Sequence, residues 1–146
     1  SVIKNMTKTE AFRKFNIILK NTRWSWSGIS ADMKHVASTI WMDEFDIVDG
    51  VYKTKVTEEW NYDWMSDRGN LDRIEHFKHC RDELNSMFWV VFVKPKKIIF
   101  DGPREAEDHR PFTKMMFRLT SFDEETGLFT SESVAETAGK YEELFL

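Results

Sequence analysis

Six consecutive apolar residues, at positions 88–93, place the strongest constraint on the fold of this chain. A strand of this composition carries apolar side chains on both faces, so both faces of the sheet around it must be covered. The run is much shorter than the roughly 18 to 20 apolar residues that a membrane-spanning helix needs. The sequence therefore predicts a strand near the middle of a sheet, with other elements packed against both sides.

Two helices are predicted from apolar residues at helical spacing. Thr7 and Glu10 have the spacing of a capping box, and the helix that follows is predicted over residues 8–19. Asn70 is the expected N-cap of the second helix, which ends near Asn85. That helix carries an apolar stripe on one side and a polar face on the other. The stripe consists of Leu71, Ile74, Phe77 and Leu84.

The remaining strands are predicted from alternating or β-branched residues bounded by turn residues. Asp49 and Gly50 are an Asp-Gly turn signal, and Gly127 tolerates positive φ in a predicted hairpin loop. Residues 102–111 are rich in Pro, Gly and acidic residues, which predicts an exposed loop. The strands predicted besides the central one are residues 23–28, 34–41, 51–56, 98–100, 114–121 and 128–130.

Length and composition indicate one domain. The 146 residues are 41% hydrophobic and 14% aromatic, which is enough for a substantial core without a metal or a disulfide. The predicted elements contain too many hairpins for a doubly wound parallel sheet. We therefore expect residues 1–146 to form a single α+β domain: a strongly bent, mixed and mainly antiparallel sheet or small open barrel, flanked by two or three helices. Residues 133–146 are expected to form a C-terminal helix or a flexible tail.

Two short segments and the order of the elements resemble a known family. The segments are Lys-Asn-Thr-Arg-Trp-Ser-Trp-Ser at 20–27 and Thr-Ile-Trp at 39–41, while Gly69 and Asn70 lead into the long helix. The layout over residues 7–131 resembles the PUA/EVE-like group of small barrels, and the two segments are similar to one in bacterial and phage proteins. The resemblance implies binding of RNA or modified DNA bases, in some members by flipping a base into an aromatic pocket, and a frequent association with restriction nucleases.

Six tryptophans in 146 residues are the main candidates for a binding surface. On a strand, Trp24 and Trp26 share one face, where they either pack into the core or form a platform on which bases stack. Trp41 ends the next predicted strand. Trp60 and Trp64 lie in a segment dense in charged and polar residues, which is typical of a rim or a lid. We treat these five tryptophans as candidate ligand-binding residues.

Basic residues supply candidate contacts to phosphate. Arg73 and His76 on the long helix are candidates for binding a phosphate or a base edge, and the alternative is a solvated face of compensating charges. Several strands and turns also carry basic residues that would form a phosphate track if they lie together, although acidic segments favour a surface of mixed sign. The residues of this predicted track are Lys53, Lys55, Lys96, Lys97 and Arg118.

Other classes of site are disfavoured. The sequence has no G-x-S-x-G, P-loop, G-x-G-x-x-G or H-E-x-x-H motif, so no catalytic residue is assigned. His76, His79 and Cys80 supply too few ligands for zinc, and we expect no metal or other cofactor. The single cysteine is compatible with a reducing compartment, which predicts a cytoplasmic location. A net charge of −4 disfavours nonspecific coating of DNA or of an anionic membrane.

The sequence thus supports two hypotheses about function. The first is a non-enzymatic recognition domain that binds DNA or RNA, including a modified or flipped base, through tryptophan stacking and contacts from Arg and Lys to phosphate. The second is a phage or mobile-element domain that binds or inhibits a host protein through an exposed tryptophan surface. The first requires basic residues beside the indoles, whereas the second does not. Neither involves a membrane, and the sequence sets no oligomeric state.

Overall fold

The computed structural model describes residues 5–54, 67–96 and 105–146, which form an α+β fold of three helices and one seven-stranded sheet. The helices are α1 (Lys8–Arg13), α2 (Arg68–Glu83) and α3 (Lys140–Phe145). The strands are β1 (Ser27–Ile29), β2 (Val36–Trp41), β3 (Phe45–Val48), β4 (Val51–Thr54), β5 (Met87–Pro95), β6 (Ala106–Phe122) and β7 (Phe129–Val134). Within these residues, no helix is long and apolar enough to cross a membrane.

The sheet is mixed and mainly antiparallel, as predicted. Its strand order is β1-β2-β5-β6-β7-β4-β3, and all neighbours are antiparallel except β2 and β5. Among the described strands, β1 and β3 are the two edges, so the sheet is open rather than closed into a barrel. The long strand β6 pairs first with β5 and then with β7, which joins β1, β2 and β5 to β7, β4 and β3 in one sheet.

The apolar run that begins at Phe88 forms the interior strand β5, and its two faces belong to two different cores. Phe88 and Val90 pack with Phe77 of α2 on one face of the sheet. Trp89 and Val91 pack on the other face with residues of α1 and α3. The prediction of a strand covered on both sides is therefore confirmed, and β5 lies next to the central strand β6.

Helix α1 begins as predicted but ends early. The capping box between Thr7 and Glu10 is present. The helix ends at Arg13, and Asn16 has a φ of +58°, which is incompatible with a right-handed helix. In the following extended segment Ile17 is buried while Ile18 is 83% exposed, which is an alternating pattern rather than a helical one. The prediction of a helix through residue 19 is wrong because this segment covers the sheet in an extended conformation.

Helix α2 begins two residues before the predicted cap. Asp67 is the N-cap, and Asn70 lies fully buried within the first turn, where its Nδ2 donates to the carbonyl oxygen of Thr126 at 2.9 Å. Leu71 was assigned to the apolar stripe but is 52% exposed. The buried side of the helix is rotated accordingly, and it carries a mixture of polar and apolar residues. Its buried members are Gly69, Asn70, Arg73, Ile74, Phe77 and Cys80.

The strand predictions are partly confirmed. The Asp49–Gly50 turn is present, with φ of +52° and +79°, but the strand that precedes it, β3, was not predicted. Strand β1 is only Ser27–Ile29. Strand β6 begins at Ala106, within the predicted loop 102–111, because Asp108 is buried there and accepts the backbone N–H of Met6 at 2.6 Å. The strand predicted over 98–100 lies outside the described residues.

Gly127 in the turn between β6 and β7 is expected to be essential for the packing of α2. Both Gly127 and Gly139 have positive φ, so alanine costs about 1 kcal/mol of backbone strain at either position. At Gly127 a Cβ would also overlap the amide of the fully buried Asn70, whereas nothing lies near a Cβ at Gly139. We expect Gly127→Ala to lower the free energy of unfolding by about 1 to 3 kcal/mol more than Gly139→Ala in urea denaturation. Equal losses would contradict this account of the turn.

Candidate functional site

The first turn of α2 is held between the segment before β1 and the turn between β6 and β7. A Cβ at Gly69 would lie 2.5 Å from the indole of Trp26 and 2.6 Å from the carbonyl oxygen of Trp24. Asn70 reaches the opposite side, where it donates to Thr126. The absence of a side chain at Gly69 therefore allows Trp26 to pack directly against the helix backbone.

One turn further along α2, Arg73 is buried among three aromatic rings. Its guanidinium carbon lies 5.1 Å from the ring centre of Trp26, 4.9 Å from that of Phe129 and 5.9 Å from that of Phe77. Only 8% of the residue is exposed. Burial lowers the pKa of Arg73 to about 10, while the charge of Glu44 opposes that shift. The side chain is therefore cationic at neutral pH and held mainly by cation–π contacts. This burial favours a packing role over the alternative of a solvated face, and it leaves the predicted contact to phosphate or a base edge without direct support.

Trp24 and Trp26 remain partly exposed, while the serines between and after them are fully buried. The backbone N–H of Trp24 donates to Asn21 Oδ1 in a turn that Ser25 closes with its Oγ. Burial alternates over residues 24–27 and the small residues are the buried ones, but Trp24 and Trp26 precede β1 instead of lying on the predicted strand. Trp24 and Trp26 are therefore both partly accessible to solvent. The alternative, in which both pack into the core, predicts two buried tryptophans.

His76 links α2 to β1 rather than projecting into solvent. Its Nδ1 lies 2.7 Å from the hydroxyl oxygen of Ser27, and its Nε2 is 3.7 Å from Asp72 Oδ1. Burial lowers the pKa of His76, although the carboxylate of Asp72 acts in the opposite direction. The neutral ring is thus the form that the fold favours, which positions α2 against the edge strand.

Three exposed basic residues lie in the segment before β1 or at the start of α2. Arg23 directly precedes Trp24, and Arg68 opens the first turn of α2. Lys20 lies close enough to His76 to contribute to the lowering of its pKa. No carboxylate of a described residue lies within 4.0 Å of the charged groups of these three side chains. These three cations therefore have no ion pair with a described residue, while Asp67 at the N-cap of α2 and Asp72 beside His76 add negative charge to the same region.

The strand residues of the predicted phosphate track lie elsewhere and adjoin a glutamate. Arg118 Nη2 is 3.2 Å from Oε1 of Glu132, and Lys53 is opposite the same glutamate across β4 and β7. Phe117 and Leu119 face α2, so alternation in β6 places Arg118 on the other face of the sheet. The structure therefore does not bring Lys53 and Arg118 together with the indoles.

The other predicted contacts are distributed as follows. Lys96 Nζ forms an ion pair of 3.2 Å with Glu105. Trp41 is partly buried at the end of β2, opposite Val93 of β5. Two residues earlier, the hydroxyl of Thr39 donates to the carbonyl oxygen of Trp26 at 3.0 Å, which connects β2 to the indole segment. The predictions for Lys55, Trp60, Trp64 and Lys97 lie outside the described residues.

Cys80 has a structural environment. It is buried, its Sγ donates to the carbonyl oxygen of Met87 at 3.1 Å, and burial raises the pKa of the thiol to about 12. The thiol is therefore protonated at neutral pH and a poor nucleophile. In the described ranges, no group of three or more His, Cys, Asp and Glu residues is placed to hold a metal ion.

The contribution of Gly69 was missed by sequence reasoning. A glycine in the first turn of a helix is a signal for close approach of another group, and here that group is Trp26. The cations Lys20, Arg23 and Arg68 were also not singled out. Only Arg23 adjoins a tryptophan in sequence, so nothing in the sequence marks Lys20 and Arg68 as candidates.

Alanine at Gly69 is expected to disturb the site rather than stabilise the helix. In an unobstructed helix this change would stabilise by up to about 1 kcal/mol. Here the new Cβ would lie 2.5 Å from the Trp26 indole, so we expect a loss of about 1 to 3 kcal/mol in urea denaturation and a change in tryptophan fluorescence. Glu75→Ala, at an exposed position of α2, should change stability by no more than about 0.5 kcal/mol. A Gly69→Ala protein as stable as the parent would refute the contact.

The lowered pKa of His76 predicts a dependence of stability on pH. Because the unfolded state binds more protons, the free energy of unfolding falls as the pH drops below about 6.5, the ordinary pKa of histidine. We expect the loss between about pH 7.5 and pH 5.5, measured by urea denaturation, to be smaller in His76→Gln than in the parent. Leu71→Ala, on the same helix, should lose as much free energy of unfolding over this pH range as the parent does. An undiminished loss in His76→Gln would show that other groups cause it.

Comparisons of this chain with protein-family models, with curated proteins and with solved structures found no match. The resemblance to PUA/EVE-like barrels therefore stays a prediction. The candidate site is the region around the first turn of α2, where the Trp26 indole lies against Gly69 and the buried Arg73.

Proposed function

We propose that this chain is a non-enzymatic recognition domain that binds nucleic acid, including a modified or extruded base, on the surface of Trp24 and Trp26. The observation that carries the proposal is that both indoles stay partly exposed while Ser25 and Ser27 take the buried positions. An indole face stacks on any base, and each such contact contributes about 1 to 3 kcal/mol. A rigid support favours this role, and Trp26 has one in Gly69 and Arg73.

The local charge supports an anionic ligand. Lys20, Arg23 and Arg68 are exposed, Arg23 directly precedes Trp24 in the chain, and none of the three has a carboxylate of a described residue within 4.0 Å. By contrast, Lys96 and Arg118 already form ion pairs with glutamates. A phosphate would therefore displace no protein carboxylate at the first set of cations. These exposed cations support the nucleic-acid hypothesis, which requires basic residues near the indoles.

A second candidate function has separate support. The edge strand β3 exposes 63% of Ile47 and 49% of Val48, and the preceding Met42 is 50% exposed. Exposed apolar residues on an edge strand favour pairing with another protein. The alternative proposal is a domain that binds a host protein, and it assigns the interface to β3 rather than to the indoles at α2.

Substitutions at the indole surface are expected to weaken binding of single-stranded oligonucleotides. Trp24→Ala should raise the Kd about ten-fold through the loss of one stacked base. Arg23→Ala should weaken binding less at moderate salt than at low salt, because it removes one contact to phosphate. Tryptophan fluorescence titration at two salt concentrations measures both effects.

Two control variants make this experiment decisive. Arg118→Ala removes a cation on the opposite face, and Ile47→Ala alters the edge strand, so neither should change the affinity. A loss in Arg118→Ala equal to that in Arg23→Ala would favour the strand surface predicted from the sequence. The absence of any response to single-stranded, duplex or base-modified oligonucleotides would refute the proposal and favour the protein-binding alternative.

A further inference from the structure

The ammonium group of Lys8, at the start of α1, holds the segment that carries Trp24. Its Nζ donates to the carbonyl oxygen of Ser25 at 2.8 Å and, more weakly, to that of Arg23 at 3.4 Å, and these two residues lie on either side of Trp24. Hydrogen bonds from a charged donor are stronger than those between neutral groups. One side chain of α1 therefore fixes the backbone on both sides of this tryptophan.

The surroundings of Lys8 suit this role. The residue is partly buried, and burial lowers the pKa of its ammonium group. No carboxylate of a described residue lies within 4.0 Å of Nζ, and Glu10 of the same helix accepts hydrogen bonds from Thr7 instead. An ammonium group withdrawn from water needs acceptors, and the two backbone carbonyl oxygens supply them. The helix itself is held to the core by the fully buried Ala11 and Phe12.

Bonds within the segment shape its turn but do not anchor it. Asn21 Oδ1 accepts the backbone N–H groups of Arg23 and Trp24 at 2.8 and 3.3 Å. Contacts to other elements anchor the turn to the rest of the fold. The carbonyl oxygen of Trp24 lies against Gly69 of α2, and Lys8 bonds the carbonyl oxygens on either side of it. The orientation of Trp24 therefore depends on α1 as well as on α2.

We propose that Lys8 is a positioning residue of the nucleic-acid surface, which holds the backbone around Trp24 so that the indole is presented to a base in one orientation. This inference rests on the proposed function, and it gives a part in binding to α1, which carries none of the predicted binding residues. Lys8 donates to the backbone and not to a ligand. Its contribution is to reduce the conformational freedom that the segment loses when a base stacks on Trp24.

The first measurement is amide hydrogen exchange in the free chain. Lys8→Met keeps most of the aliphatic side chain and removes the donors, Lys8→Arg keeps the charge and the donors, and Lys14→Met removes an exposed cation at the end of the same helix. We expect the backbone amides of Arg23 and Trp24 to exchange about ten-fold faster in Lys8→Met than in the wild type. Lys8→Arg and Lys14→Met should exchange as the wild type does.

The second measurement is titration with a single-stranded oligonucleotide at low and at moderate salt. We expect Lys8→Met to raise the Kd about five-fold, by the same factor at both salt concentrations, because no contact to phosphate is lost. Arg23→Ala removes such a contact, so its effect should depend on salt. Lys8→Arg should recover most of the affinity, and Lys14→Met should bind within about two-fold of the wild type.

The outcomes separate this inference from the proposed function. Unchanged exchange in Lys8→Met, or faster exchange without loss of affinity, overturns the inference and leaves the proposed function standing. A loss of affinity that diminishes at moderate salt shows a direct contact of Lys8 to phosphate and also overturns it. Binding of no oligonucleotide by the wild type overturns both. If thermal denaturation shows that Lys8→Met is unfolded, Lys8→Gln, which is uncharged but keeps a donor, should give the same changes at smaller size, and unchanged exchange and affinity in that variant overturn the inference.

Discussion

The contact of the Arg73 guanidinium with three aromatic rings holds the candidate site together. Trp26 lies before β1, Phe77 lies on α2 and Phe129 begins β7, so a single side chain joins three parts of the chain that are distant in sequence. A buried cation is unfavourable unless something replaces its hydration. Here the ring faces do so, with help from the charge of Glu44. The position of α2, and with it the exposure of the indoles, depends on this arrangement.

The small residues around this contact decide which side of the segment is buried. Gly69 lets Trp26 lie against the backbone of α2, and Gly127 leaves room for the buried amide of Asn70. Ser27 fits under α2 and hydrogen-bonds His76, which a larger residue would prevent. Because serine and glycine occupy the positions where this segment meets α2, the two tryptophans remain partly exposed. The proposed binding platform and the tightly packed helix therefore depend on the same small residues.

Sequence reasoning succeeded where local patterns decide the structure. The apolar run of β5, the capping box of Thr7 and the Asp49–Gly50 turn are all found, because each depends on residues close together in the chain. Predictions from the sequence were wrong where contacts between residues distant in the chain determine the structure. Local spacing predicts Asn70 as a cap, but its side chain donates to Thr126, 56 residues away. The alternation of tryptophan and serine could not show that the Trp26 indole packs against Gly69 and Arg73 of α2, because those residues are more than 40 positions away.

The most direct test of this account is the NMR spectrum of the indole N–H groups during titration with a single-stranded oligonucleotide. We expect the Trp24 and Trp26 signals and the backbone amides of the first turn of α2 to shift progressively, while the signal of the fully buried Trp89 stays in place. Unchanged Trp24 and Trp26 signals, together with shifts in the amides of β3 or with none at all, would contradict the assignment of the binding surface.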